Sequence, residues 1–418
     1  MSGLTRRELA AAAGFSFVAP GDRLNIAGVG VGGMGANYLS NMESENIAVL
    51  CDVDDAVAAK TFAKYPDARR YRDFRAMLDK EKNIDAVVVG TPDHTHAAVA
   101  LAAMQLGKHV YCAKPMTRTI QEARLLARTA ADKRVATQMS VQSCASEAAC
   151  ATAEWVRAGA VGKVREVHVW SDRPIWPQAV ARPAETVPAP STLNWDLFLG
   201  PAPARPYHPC YHPFAWRGWY DFGTGALGDM GCHTLHVIVR ALELGLPAAV
   251  SATSSRQVRT ARPFRPAVFP ETFPDASIVT WEFPGVRVTW FDGGLKPPSP
   301  VDLPAAGILF AGDKGLLLSG FTGGPKLLSE APSFTPPAKT LPRTAGHYQE
   351  WIAACKGGKP ASCEFGFGAQ LTEIALLGSI AVRIGKRLEW DAAAGRFTNN
   401  VEANALIAPP YRTGWFRA

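Results

Sequence analysis

The sequence predicts an α/β protein in two parts, a doubly wound parallel sheet over residues 21–140 and a second α/β domain over residues 141–418. Three observations lead there. Up to residue 140, short apolar runs alternate with segments of helical length and period, the pattern of strand–helix–strand units. A glycine-rich turn joins the first such run to its helix. Beyond residue 160, strand-like stretches are separated by turn dipeptides instead of helices, which suits antiparallel pairs. With 418 residues, 47% hydrophobic and 19% charged, the chain buries large cores without help and is not a disordered one. No apolar run is expected to reach the ~18–20 residues of a membrane span.

The net charge of +7 favours anionic ligands. No Lys/Arg stripe or nucleic-acid motif accompanies it, so nucleic acid is not an expected partner. The eight cysteines form no Cys-x-x-Cys pair, which argues against structural zinc, and no other metal site is expected. At the N-terminus, Thr5-Arg6-Arg7-Glu8-Leu9 and the apolar stretch from Ala10 to Pro20 look like a twin-arginine export leader over residues 1–20. The alternative is an amphipathic turn before the first strand. A leader implies a periplasmic or otherwise exported protein; without it the protein is cytoplasmic.

The first strand candidate, Leu24 to Val29, runs into Gly30-Val31-Gly32-Gly33-Met34-Gly35 and then a helical pattern. Gly30, Gly32 and Gly35 form a Gly-x-Gly-x-x-Gly turn, whose backbone at Gly33 and Met34 opens a helix. Such a turn lets a pyrophosphate approach the positive end of that helix. The next strand, Ile47 to Cys51, ends in Asp52, 22 residues after Gly30. A carboxylate there accepts hydrogen bonds from the adenosine ribose and repels a 2′-phosphate, so the expected cofactor is NAD. Asp54 reads as the N-cap of a helix from Asp55 to Lys64.

The alternation continues with strands at Asp85–Gly90, Lys108–Cys112 and Val135–Gln138 and helices over 96–106 and 120–132, completing a Rossmann domain. Ligands gather beyond the carboxyl ends of such strands. Two strand ends carry chemistry: Thr91-Pro92-Asp93-His94-Thr95-His96 and Ala113-Lys114-Pro115. Thr91, Pro92, His94, His96 and Lys114 are therefore cofactor-contact candidates, with capping or packing as the other reading of the two histidines. A lysine in a partly dry pocket exchanges protons with a substrate hydroxyl.

These residues resemble the Gfo/Idh/MocA oxidoreductases. The matching segments are the turn 30–35, Cys51-Asp52-Val53-Asp54, Thr91 to His96, Lys114-Pro115, and Gly228-Asp229-Met230-Gly231-Cys232-His233. The resemblance implies a large, open, mostly antiparallel sheet in the second domain, NAD(P)-dependent oxidation or reduction of a sugar or cyclitol carbon, and a homodimer or tetramer. One position departs from it. Ala113 stands where the family usually has Glu before the lysine.

In the second half, Val164 to Trp170 is strand-like. Residues 171–222 then lose regular period while holding ten prolines in 174–213 and five tryptophans in 170–219. Such a segment is an ordered loop packed over something. Arg173, Trp176, Trp216 and Arg217 are candidates to line a carbohydrate site, an aromatic face covering the C–H side of a ring and the cations binding hydroxyls or an anionic group. His212 flanks them and joins the two arginines as a candidate to bind hydroxyls or an anionic group. The alternative is a proline-stiffened arm packed on the sheet or on a partner. Asp229 and His233 lie four apart, on one face of a helix, and supply an anchor and a base; His233 also reads as a core histidine. Strands follow at Val250–Ser255, Ser277–Phe283, Val286–Trp290, Gly307–Ala311 and Gly315–Ser319, with helices over 345–356 and 367–384 and a tail, 388–418, wrapping back over the body.

The catalytic candidates are thus Lys114, His233 and Asp229, acting on a carbohydrate hydroxyl with NAD. A second expectation is a glycoside hydrolase that oxidises transiently and restores its cofactor within each cycle, as export away from a free nicotinamide pool would demand. A third is a non-catalytic sugar- or nucleotide-binding protein.

Overall fold

The computed structural model describes residues 23–255, 269–320, 323–328 and 334–416. The leader expected over residues 1–20 lies outside them.

Six parallel strands form the first sheet: β1 (Asn25–Val29), β2 (Asn46–Cys51), β3 (Arg69–Tyr71), β4 (Ala86–Val89), β5 (His109–Cys112) and β6 (Thr137–Met139), in the order β3-β2-β1-β4-β5-β6. The order reverses at β1, so a crevice opens between the ends of β1 and β4, the switch point where open parallel sheets bind ligands. Helices α1 (Gly33–Ser40), α2 (Asp55–Lys64), α3 (Phe74–Lys80), α4 (Asp93–Gln105) and α5 (Ile120–Lys133) make the crossovers. Asp54 caps α2 as its position predicts, accepting from Ala56 N. Thr119 and Glu122 form a reciprocal capping box on α5. β3 has no apolar run to announce it in sequence, Arg69-Arg70-Tyr71 being an edge strand.

The second sheet has nine strands. They are β7 (Val164–Trp170), β8 (Ala249–Ser254), β9 (Ser277–Phe283), β10 (Val286–Phe291), β11 (Gly307–Gly312), β12 (Gly315–Gly320), β13 (Pro325–Leu327), β14 (Leu388–Asp391) and β15 (Arg396–Phe397). Their order is β13-β12-β11-β7-β10-β9-β8-β14-β15, antiparallel except where β10 runs parallel to β7. Trp281, Trp290 and Phe310 point to one core with the apolar residues of α6 (Glu147–Arg157), α8 (Gly225–Leu242) and α10 (Phe365–Ile384). The short helix α7 (Trp195–Leu199) lies in the loop before α8, and α9 (His347–Cys355) precedes α10.

α10 corrects one expectation. By length and composition it is apolar enough to cross a membrane, with 78% of its apolar window buried inside the protein. It packs on α5, α8 and the strands β8 and β9. Its uniform apolarity reflects burial on several sides. Seven of the eight cysteines are buried and all eight are unpaired, small core side chains as expected.

The irregular segment 171–222 folds back onto the first half. Asn194 N donates to Val53 O at 2.8 Å and Asp55 N to Thr192 O at 3.1 Å. Trp195, Phe198, Tyr211, Trp219 and Phe222 interlock as a separate aromatic cluster beneath this crossing. The tail returns as well: Gln121 N donates to Ile407 O, and the indole of Trp415 packs on Phe74 of α3.

Candidate active site

The glycine turn has the shape that a pyrophosphate needs. Gly30 adopts φ +74°, and a Cβ there would meet Thr91 N at 2.6 Å; one on Gly35 would sit 1.8 Å from Gly30 O. Only hydrogen fits at either place. Gly33, at φ +48°, faces open space. α1 starts at Gly33 with no side-chain cap and no acidic residue in its first turn, so its leading N–H groups and positive dipole end await an anion. Asp52 closes the turn from the side. Its Oδ2 accepts from Val31 N at 2.8 Å and Gly32 N at 3.3 Å, and its Oδ1 from Asp54 N at 3.0 Å. A carboxylate has about four lone-pair sites, so it fixes the turn and still has capacity for a ribose hydroxyl. Burial raises this carboxyl above the usual range, against the pull of those three N–H groups. The residues present fit an adenine dinucleotide.

The turn opens into a cavity of about 540 Å³. Of the predicted cofactor contacts, Gly30, Gly32, Gly33, Met34 and Asp52 line it, as do Thr91, Pro92, His96 and Lys114. Gly35 lies behind the turn. His94 is a correction. Its ring is buried, with Nε2 2.8 Å from Phe198 O and Nδ1 3.2 Å from Phe222 O, and it does not line the cavity. Burial pushes its pKa down to about 3; the neutral ring carries one N–H and fastens the aromatic loop to α4. His96 has a related task at the cavity wall. Its Nε2 lies 2.7 Å from Thr91 O and its Nδ1 2.9 Å from Pro115 O; burial holds it at about 4, so the neutral ring donates to one of these carbonyls and packs against the other.

Lys114, just past β5, reaches Asp229 in the second turn of α8. Its Nζ donates to Asp229 O at 2.7 Å and Oδ1 at 2.6 Å. Arg217 Nε lies 3.6 Å from the same Oδ1. Burial alone would raise the Asp229 carboxyl, but the charges of Lys114 and Arg217 outweigh it and hold it below the usual value. Ala113 also lines the cavity, so the position where the resemblance implies Glu is part of its wall. His233 is half-buried on the Asp229 face of α8, near enough to feel the charges of Lys114 and Asp229. It is not in the lining of this cavity, contrary to a shared wall with Lys114. Burial, then the Lys114 charge, brings it down to about 3.

The predicted carbohydrate contacts separate. Trp216 and Arg217 line the cavity. The Arg217 guanidinium lies 4.3 Å from the Trp216 ring centre, 4.6 Å from that of Phe214 and 5.7 Å from that of Trp176. Trp176 therefore backs Arg217 without facing the cavity, its indole N–H donating to Gln178 Oε1 at 2.9 Å. Arg173 is turned elsewhere, paired with Asp172 at 2.7 Å while its carbonyl accepts from Gly293 N. Sequence reasoning missed Asp93, which lines the cavity and accepts from Thr224 Oγ1 at 2.6 Å. Burial raises its pKa to about 7. It also missed the wall residues Phe74 and Trp415.

A family model described as an oxidoreductase family with an NAD-binding Rossmann fold matches residues 24–141. A second, described as the C-terminal α/β domain of an oxidoreductase family, matches 166–261 and 307–417. The chain belongs to the Gfo/Idh/MocA oxidoreductase family. Its cofactor is accordingly NAD. Among curated relatives of this Gfo/Idh/MocA chain, a levoglucosan dehydrogenase of Pseudarthrobacter phenanthrenivorans is 27% identical over 188 residues, 45% of this chain and 40% of that protein. A glycosyl hydrolase family 109 protein of Solibacter usitatus is 37% identical over 123 residues, covering 26% and 28%. Both alignments thus span less than half of the relative's length. The WlbA dehydrogenase of Bordetella pertussis, solved with NADH and UDP-GlcNAcA, superposes with a TM-score of 0.63 over 88% of this chain and 99% of its own, at 17% identity. That likeness is one of fold.

Proposed function

We propose that the protein oxidises a hydroxyl of a sugar, cyclitol or glycoside, with Lys114, Asp229 and His233 handling charge and proton. One observation carries the reading: Lys114 and Asp229, 115 residues apart in sequence, meet at 2.6 Å in the wall of the cavity that the glycine turn opens. NAD, when bound, supplies the hydride acceptor. The chain's own contribution is electrostatic and protic. An ammonium beside the reacting hydroxyl stabilises the alkoxide character that develops as its C–H bond weakens. Asp229 aims that ammonium with two acceptors, leaving a third N–H for a substrate oxygen. His233, one turn beyond Asp229 on the same face of α8, passes the released proton on. Trp216 offers a face to a sugar ring and Arg217 a donor fork to its hydroxyls.

The levoglucosan dehydrogenase and family 109 hydrolase relatives support a carbohydrate substrate. The paired Lys114 and Asp229 weigh against a non-catalytic binding protein. The test is reduced-nicotinamide absorbance on mixing the purified protein with NAD⁺ and levoglucosan, myo-inositol or a panel of glycosides. No reduction and no turnover with any of them would end the proposal.

A second reading is favoured by the loop and tail that wall the cavity and by the family 109 relative. Oxidation of a ring hydroxyl acidifies the adjacent C–H, the aglycone leaves by elimination, water adds across the resulting conjugated double bond, and the hydride is returned to the ketone. Aglycone release from nitrophenyl glycosides without added NAD is its signature; strict dependence on added NAD⁺ with net ketone product excludes it. Export through the leader at residues 1–20 would suit such a self-contained cycle, and N-terminal sequencing of the periplasmic protein tests it. Pairing of copies through the open nine-stranded sheet completes the proposal, checked by light scattering in solution.

A further inference from the structure

The Rossmann segment does not complete its own cofactor cavity. Phe198, His212 and Phe214 from the loop before α8, and Trp415 from the tail, supply the remaining wall. We infer that these two segments are straps that shut the dinucleotide in, making NAD a resident group and not an exchanging co-substrate. The inference rests on the NAD site and deepens the reading of a cofactor restored in place.

The first strap is fastened beside Asp52. His212 Nε2 lies 2.8 Å from Asp54 Oδ2, and both side chains are buried. Asp54 therefore does two things at once, capping α2 and gripping the loop. The backbone bonds from Asn194 to Val53 and from Asp55 to Thr192 clamp the same strap on either side of Asp54.

The second strap is the tail. Asp52 N donates to Tyr71 O, three residues before Phe74, so Trp415 on Phe74 stands at the Asp52 end of the cavity. Its indole is only 8% exposed, with the Arg75 guanidinium 4.1 Å from its ring centre. Trp415 and Phe74 also line a second cavity of about 560 Å³. Trp415 is thus a wall shared by the cofactor cavity and its neighbour. Arg412 ties this strap to the first, donating to Gly200 O at 2.9 Å and pairing with Asp196 at 2.6 Å. Departure of a ligand enclosed this way requires a strap to open, so contacts within the straps set its release rate.

The experiment loads the purified full chain with NADH, adds excess NAD⁺, and follows the decay of bound-NADH fluorescence. Trp415→Ala and His212→Ala should each speed release at least tenfold, with Trp415→Phe close to wild type. Arg412→Ala, which frees the tail while leaving its indole intact, should accelerate release too and substitutes for any variant that does not fold. Release within twofold of wild type in the folded variants would overturn the inference, as would wild-type NADH that exchanges within mixing time. Equilibrium NADH binding by the wild type reports separately on the cofactor site: tight binding with unaltered variant rates sinks the straps alone, and no binding sinks both.

Discussion

Lys114 and Asp229 hold each other by two hydrogen bonds, from one ammonium to a carbonyl at 2.7 Å and to a carboxylate oxygen of the same residue at 2.6 Å. The bonds join the end of a parallel strand in one domain to the second turn of a helix in the other, so the domains meet at the chemistry. Each side chain is 17% exposed, open enough for a substrate and closed enough for the charges to count.

Replacing Lys114 by Met removes the ammonium while keeping much of its bulk. Turnover on whatever carbohydrate proves active should fall by about 10²–10⁴-fold, with NADH affinity changed only a few-fold. Steady-state kinetics beside fluorescence titration separates the two. Turnover within a factor of three of wild type would dismiss Lys114 from the reaction.

Asp93 makes a stability prediction whose sign is set by burial. In the folded protein its pKa is about 7, while in the unfolded chain it titrates near ~3.9. Between these values the folded state holds the extra proton, so the contribution of this group is fully present below about pH 4 and is lost as pH rises to about 7. Asp93→Asn removes the dependence. The variant should gain on wild type across that window, by at most about 4 kcal/mol, and by a constant amount above it. Urea unfolding of both proteins at a series of pH values measures the gap; a gap that does not change with pH contradicts it.

Much of this site was legible because single residue types do jobs that leave a trace in sequence. Gly30 and Gly35 are needed where no Cβ fits, Asp52 follows a strand, and Asp229 lies four residues before His233 on one helix; each announces itself by spacing. The loop before α8 was legible only as ordered. Where it lands depends on backbone carbonyls, such as Val53 O and Phe198 O, and a carbonyl has no sequence signature. The same blindness explains His94, which reads as a ligand contact in sequence and instead donates its one N–H to a loop carbonyl. Trp415 lay in a tail whose return was expected, but its place in the cavity wall follows from Phe74 and Arg75, 340 or more residues earlier.

Asp52→Ala tests the choice of cofactor. Loss of the carboxylate removes a ribose acceptor and the brace on Val31 N and Gly32 N. NADH affinity should fall by about tenfold to a hundredfold, in the range of one or two charge-assisted hydrogen bonds. NADPH, no longer repelled at its 2′-phosphate, should bind relatively better than in wild type. Isothermal titration with both nucleotides gives the ratio, and an unchanged preference would show that Asp52 serves the turn alone.

Gly35 and Gly33 sit two residues apart in the same turn and should respond oppositely to a methyl group. At Gly35 the new Cβ would stand 1.8 Å from Gly30 O. That neighbour is backbone and has no rotamer to yield, so the turn itself must open. Gly35→Ala should cost about 3 kcal/mol, the upper range for overpacking, and abolish saturable NADH binding because the helix end moves off the pyrophosphate position. At Gly33 a Cβ meets nothing within 4 Å, and the only penalty is φ +48°, about 1–2 kcal/mol for a non-glycine residue. Gly33→Ala should therefore keep most of its NADH affinity. Thermal unfolding and NADH titration of the two variants side by side decide the matter: equal losses would mean that the turn tolerates or rejects a side chain for reasons other than the contact at Gly30.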